Sequence, residues 1–194
     1  MITSEYRKIL ADIHKQTPFG KRSKIPTYLK KFIKKYQPGS ILDFGCGKGN
    51  LVKTLSEDYP NINVQGYDPA NESFKNLPEK VDMIVSTDVL EHIEPEFIDD
   101  TIKLLAKTSK LHYHLISCAP AKLILPDGRN AHLIQESPDW WKSKFISAGF
   151  RIVDEDYKEF YKYSKQLKKD LLVKNFFVMM ETNYGFGTGR GNNI

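Results

Sequence analysis

Residues 40–50, SILDFGCGKGN, set glycine at every second position, with Gly45, Gly47 and Gly49 following the apolar pair Ile41 and Leu42 and the acid Asp43. A buried strand that turns sharply into a helix needs residues without a Cβ there, and the same absence lets a ligand lie against the backbone. The chemistry this implies is the binding of an extended small molecule at a strand end. A second acid, Asp68, ends the strand-like NINVQGYDP, about 20 residues beyond the glycines, where doubly wound sheets place a carboxylate against a ribose. Asp88, Glu91 and His92 stand at i, i+3 and i+4 in STDVLEHIEP, a spacing that can turn them to one face where a helix begins.

The loop lacks what two commoner ligands need. A phosphate cradle requires glycine, four residues and then Gly-Lys-Ser/Thr, but positions 42 and 49 are Leu and Gly. The dinucleotide fingerprint wants its third glycine one place later, where Asn50 stands. What remains, D-F-G-C-G-K-G, resembles motif I of the class I S-adenosylmethionine (SAM) methyltransferases. That resemblance implies that the amides of Gly45, Cys46 and Gly47 hold the methionine end of SAM near Asp43. It also implies that Asp68 and Pro69 meet the ribose, and that Thr87, Asp88 and Val89 close over the sulfonium. The segment V-L-E-H after the next strand resembles the small-molecule methyltransferases related to ubiquinone-biosynthesis O-methyltransferases. Nucleic-acid amino-methyltransferases carry an Asn/Asp/Ser-Pro-Pro-aromatic tetrapeptide there, and the cytosine-C5 type a Pro-Cys nucleophile. This chain has neither, and Cys118-Ala119-Pro120 lies one strand later in the reverse order.

The pattern D-x-x-E-H also resembles the E-x-x-E-H metal site of small-RNA 2′-O-methyltransferases and some quinone-biosynthesis enzymes, with His132 in the place of their later histidine. The implied ligands are Asp88, Glu91, His92 and His132. Carboxylates with imidazoles suit Mg²⁺, Mn²⁺ or Zn²⁺, and such an ion would bind an acceptor oxygen and lower its pKa. Against it stands a metal-free alternative, in which His92 or His132 acts alone as general base, or merely packs.

The elements that must position these groups alternate strand and helix. Strands are expected at 62–67, 81–85 (VDMIV) and in LHYHLISCAP, where His112 and His114 are expected to be partly exposed. A helix is expected from Pro95 to Lys107, and another after the N-cap Ser137, with Pro138 in its first position and Gly149 closing it. Trp140, Trp141 and Phe145 on it are expected to pack in the core or, alternatively, to line the pocket rim. RIVDEDYKE and NFFVMMETN are read as a final antiparallel hairpin joined by a lysine-rich connection over residues 158–174. Only ten residues, NESFKNLPEK, precede VDMIV, which leaves room for one short helix and little for a third strand. Phe74 and Leu77 there are candidate adenine neighbours or core. Residues 121–135, a long polar connection with Asp127, Arg129, Asn130 and His132, are the candidate substrate wall.

With 194 residues and 40% hydrophobic content, the chain fits one globular domain. It has no apolar run of membrane-spanning length, and its polar N-terminus does not resemble a signal peptide. Cys46 and Cys118 form no disulfide framework or C-x-x-C site, so a cytoplasmic protein with reduced thiols is expected. The net charge of +5 is concentrated in residues 1–38, which hold ten Lys/Arg against two acids. That segment reads as two amphipathic helices, Ser4 to Lys15 and Pro26 to Tyr36. Lys30, Lys31, Lys34 and Lys35 form a solvated back, or alternatively a patch for an acidic or phosphorylated substrate. Too few aromatic residues are interleaved with the basic ones to favour RNA.

The expected architecture is a Rossmann-like, mostly parallel sheet of seven or six strands with a C-terminal antiparallel hairpin and helices on both faces. Residues 1–38 are a helical cap, 39–182 the catalytic domain and 183–194 a glycine-rich tail. The expected activity is methyl transfer from SAM to a small molecule or sugar, at a hydroxyl. An RNA methyltransferase guided by the basic N-terminus, and a SAM-binding protein without turnover, are the alternatives.

Overall fold

The structure, a computed structural model, describes residues 2–16, 24–164 and 169–182. The glycine-rich tail and most of the loop between the first two helices lie outside those residues. Helices α1 (Ser4–Gln16) and α2 (Thr27–Tyr36) are amphipathic as their periodicity dictates, and bury Tyr6 and Ile13, and Leu29, Phe32 and Ile33, respectively. There follow β1 (Ser40–Phe44), α3 (Asn50–Asp58), β2 (Asn63–Tyr67), β3 (Met83–Thr87), α4 (Ile98–Thr108), β4 (Leu111–Ser117), α5 (Pro138–Ser147), β5 (Phe150–Ser164) and β6 (Lys169–Thr182). The start of α5 is fixed locally, since Ser137 accepts a hydrogen bond from the Trp140 amide at 3.2 Å and Pro138 needs no donor in the first turn.

The six strands run in the order β2-β1-β3-β4-β6-β5. Strands β1 to β4 are parallel, and β6 is antiparallel to both β4 and β5. Between β2 and β3 the chain makes only a single 3₁₀ turn, Glu72–Phe74, so among the described residues β2 is an edge and no third strand lies beyond it. A parallel neighbour there would need two crossovers of a dozen or more residues, which this stretch cannot supply. The order reverses between β1 and β3, and such switch points open a crevice at the carboxyl ends of the strands.

One face of the sheet packs Leu42, Phe44, Ile84, Ile116 and Val178 against Ile102 and Leu105 of α4 and Trp141 and Phe145 of α5. The other packs Ile41, Met83, Val85 and Tyr113 against α2 and α3. Trp141 and Phe145 are therefore core, as expected. His112 and His114 correct the sequence reading, because both are fully buried. β4 is an inner strand with helices over both faces, so its alternating residues have no solvent side. The hairpin is also longer than expected. β5 and β6 stay paired out to Ser164 and Lys169, beyond the last β4 partner, Asn175, so 158–174 is mostly strand and not connection.

Candidate active site

The glycine turn leaves β1 with positive φ at Gly45, Gly47 and Gly49, of 75°, 56° and 76°. A Cβ on Gly45 would lie 2.3 Å from a Val89 methyl, and one on Gly49 2.5 Å from the Phe74 ring, so close packing as well as φ demands glycine. The turn is tied to the end of β2. The amides of Gly45 and Cys46 donate to the Tyr67 carbonyl at 2.7 and 3.0 Å, and the Gly47 amide donates to Asp68 Oδ2 at 2.9 Å. Asp68 Oδ1 accepts from the Ala70 amide at 2.8 Å, and Asn71 Nδ2 donates to the Gly47 carbonyl at 2.6 Å. Asp43 and Asp68 are both buried. Burial raises the Asp68 pKa, while the Ala70 amide, His14 and the Gly47 amide pull it back. Burial pushes the Cys46 thiol well up, so it stays protonated and is no nucleophile. Pro69 is half-buried beside Asp68.

Thr87 ends β3 and is buried. Asp88 takes the left-handed region, with φ 57°, and its amide donates to the Leu115 carbonyl at 2.9 Å. The next turn, Leu90–His92, is a single 3₁₀ turn and not the opening of an α-helix. The expected i, i+3, i+4 face is therefore not what gathers the polar groups. Glu91, His92 and His132 come together with one ligand-type atom each, all within 4.8 Å, and Asp88 is outside that set.

The orientation of this trio is fixed by backbone groups. His92 Nδ1 donates to the Ala131 carbonyl at 2.6 Å, and His132 Nδ1 donates to the Ala119 carbonyl at 2.5 Å. A carbonyl only accepts, so both neutral rings carry their proton on Nδ1 and their lone pair on Nε2. Glu91 is fully buried; Oε1 accepts from the Ser117 amide at 2.8 Å, while Oε2 has no hydrogen-bond partner among the described residues. Burial and the neighbouring Asp88 raise the Glu91 pKa well above the usual range. Burial, with His132 beside it, pushes His92 down to about 3, and burial also lowers His132.

Most of the polar residues in the connection 121–135 hold one another. Asn130 Oδ1 accepts from the amides of Ala121 and His132 at 2.9 Å each, and Arg129 pairs with Asp127 at 2.7 Å. Of the four residues singled out there, His132 alone belongs to the trio. Sequence reasoning missed Glu94, His14 and the carbonyls of Ala119 and Ala131. For His14 there was a faint signal, since it adjoins Ile13 on the apolar face of α1. Phe74 stacks on the glycine turn, and Leu77 packs against the core.

Residues 17–155 match the family described as methyltransferase domain, and the chain belongs to that family. No curated protein matches the sequence. TehB from Haemophilus influenzae is similar in structure, with a TM-score of 0.62 and 17% identity over 90% of this chain and 67% of that one. A protein from work on the conversion of a disulfide bond into a thioacetal group during echinomycin biosynthesis gives 0.61 and 16% identity over 94% of each chain. PigF, solved with SAH, gives 0.54 and 17% over 89% of this chain and 58% of that one. At such identities the likeness is one of fold, the fold of the SAM-dependent methyltransferases.

Proposed function

We propose that this methyltransferase uses SAM to methylate a hydroxyl of a small molecule or sugar in the cytoplasm. The observation that carries the reading is the convergence, at the switch point, of the glycine turn and two buried acids with a pair of carbonyl-held histidines. The fit to SAM rests on a turn without Cβ atoms and on Asp68, whose two oxygens each keep a lone pair beside their one amide bond and so suit a ribose diol. Bound SAM supplies an activated methyl group on a sulfonium. The protein's share is then to orient the acceptor, exclude water and take its proton. Nε2 of His92 or His132 is the basic atom, because each Nδ1 is already committed to a carbonyl. Two free thiols, Cys46 and Cys118, support the cytoplasmic location. Incubation with SAM and a metabolite extract should release S-adenosylhomocysteine, and the mass of a co-purified ligand should name the acceptor. SAM binding without any product would instead make this a binding protein. RNA as acceptor would show as steeply salt-dependent RNA binding.

A second reading has its own observation, the orphaned Glu91 Oε2. A buried carboxylate oxygen without a donor calls for a proton, an ion or a ligand. Glu91, His92 and His132 fit a divalent ion, since carbonyls that fix Nδ1–H and aim Nε2 are the usual outer support of metal-bound imidazoles. An ion held there would lower the pKa of an acceptor hydroxyl. Calorimetry with Zn²⁺ or Mn²⁺ tests the site without turnover. Binding lost in His132→Ala supports it, and activity that survives exhaustive chelation removes it.

A further inference from the structure

Helix α1 packs on the segment that orients the histidines. Tyr6 and Ile13 are buried in one apolar cluster with Leu125 and Ala131, and the Ala131 carbonyl is the group that holds His92 Nδ1. At the start of α1, Thr3 works twice. Its hydroxyl accepts from the Tyr6 amide at 3.2 Å, capping the helix, and its amide and hydroxyl donate to Glu94 Oε2 and Oε1 at 2.7 and 2.9 Å. Glu94 is only 5% exposed and stands two residues after His92. Arg129 completes the group, with Nη1 3.7 Å from Glu94 Oε1 and its guanidinium 5.2 Å from the Tyr6 ring centre. A buried carboxylate that receives two donors and a guanidinium is a compensated charge, and removing its partners is costly.

Resting on the reading of this crevice as the SAM site, we propose that α1 is clasped to its histidine side. Glu94 is the positioning residue whose bonds to Thr3 and Arg129 hold the Ala131 segment, and through it the His92 ring, in place. Its effect on the chemistry is indirect. With the clasp closed, the His92 lone pair stays on Nε2; with the clasp open, the Ala131 carbonyl drifts and the ring is free to exchange tautomers.

The experiment uses the full chain with ¹⁵N-labelled histidine, whose five residues give a resolvable imidazole spectrum. Wild type should show His92 as the Nδ1–H tautomer. Glu94→Gln and Thr3→Ala should move that signal toward a tautomer mixture while the signals of the core residues His112 and His114 stay in place. Unchanged His92 signals in both variants would overturn the clasp. Should Glu94→Gln unfold, seen as loss of the His112 and His114 signals, the milder Thr3→Ala decides. Absence of S-adenosylhomocysteine binding by wild type would count against the SAM reading, and the imidazole spectra would still judge the clasp.

Discussion

Two pairs of histidines, His92 with His132 and His112 with His114, differ in what surrounds them. The rings of His92 and His132 are 4.8 Å apart, and those of His112 and His114 are 5.6 Å apart. Burial lowers the pKa of all four. The first pair sits on a turn and a loop beyond the strand ends, beside Glu91. The second sits inside β4, where His112 Nε2 donates to the Ser109 carbonyl at 2.9 Å and His114 Nδ1 bonds Ser86 Oγ at 2.7 Å. Its walls are the rings of Phe150 and Phe145, at 4.7 and 5.5 Å. A depressed pKa therefore does not mark a site in this protein. What sets the first pair apart is the convergence of several polar groups beyond the strand ends.

The comparison is open to attack at several strengths. The strongest blow is His92→Ala or His132→Ala. Loss of the proton acceptor should slow methyl transfer by about 10² to 10⁴-fold, with SAM binding by calorimetry little changed. His114→Leu, by contrast, should lower stability and leave the rate of the folded protein alone. Equal rate losses at both pairs would dissolve the distinction.

Acid should separate the pairs next. His112 is held down to about 4 in the folded protein against 6.5 unfolded, so below pH 6.5 the unfolded chain takes up the proton first. Its stabilising contribution is complete above pH 6.5 and falls away as the pH drops to about 4, a loss on the order of 3 kcal/mol. His114 acts in the same direction. Glu91 works oppositely, since its raised pKa stabilises the fold below about 4.5 and that contribution fades as the pH rises. Denaturant titrations from pH 7 to 4 should show the decline, and His112→Gln should flatten it.

A smaller effect tests the cofactor half of the crevice. Asp68→Asn should weaken SAM binding by roughly 1.5 to 3 kcal/mol for each charged hydrogen bond lost. Unchanged calorimetric affinity would remove Asp68 from the ribose site. The smallest effect belongs to Ser86→Ala, which removes the partner of His114 Nδ1 and should cost about 1 kcal/mol in stability with no change in SAM affinity.

Much of the frame was readable from spacing. The glycine turn, Asp68 at the end of β2, the amphipathic α1 and α2, and the Ser137-Pro138 start of α5 are each written in residues a few positions apart. Such patterns report local backbone geometry, which the local chain decides. The shortness of the stretch before β3 likewise argued for a missing strand, because a crossover has a minimum length. The alternation in LHYHLIS carried no information about what covers each face, so the burial of His112 and His114 had to come from α5 and the neighbouring strands. The reading of Asp88, Glu91 and His92 as one helical face failed because the chain forms a 3₁₀ turn there, which regroups the side chains. What the sequence determined by itself is the class of ligand cradle and the order of its supports. Only the tertiary structure decided that Thr3 meets Glu94, that Ala131 holds His92, and that His132 reaches Glu91, since contacts across 39 to 91 residues leave no periodic trace in the chain.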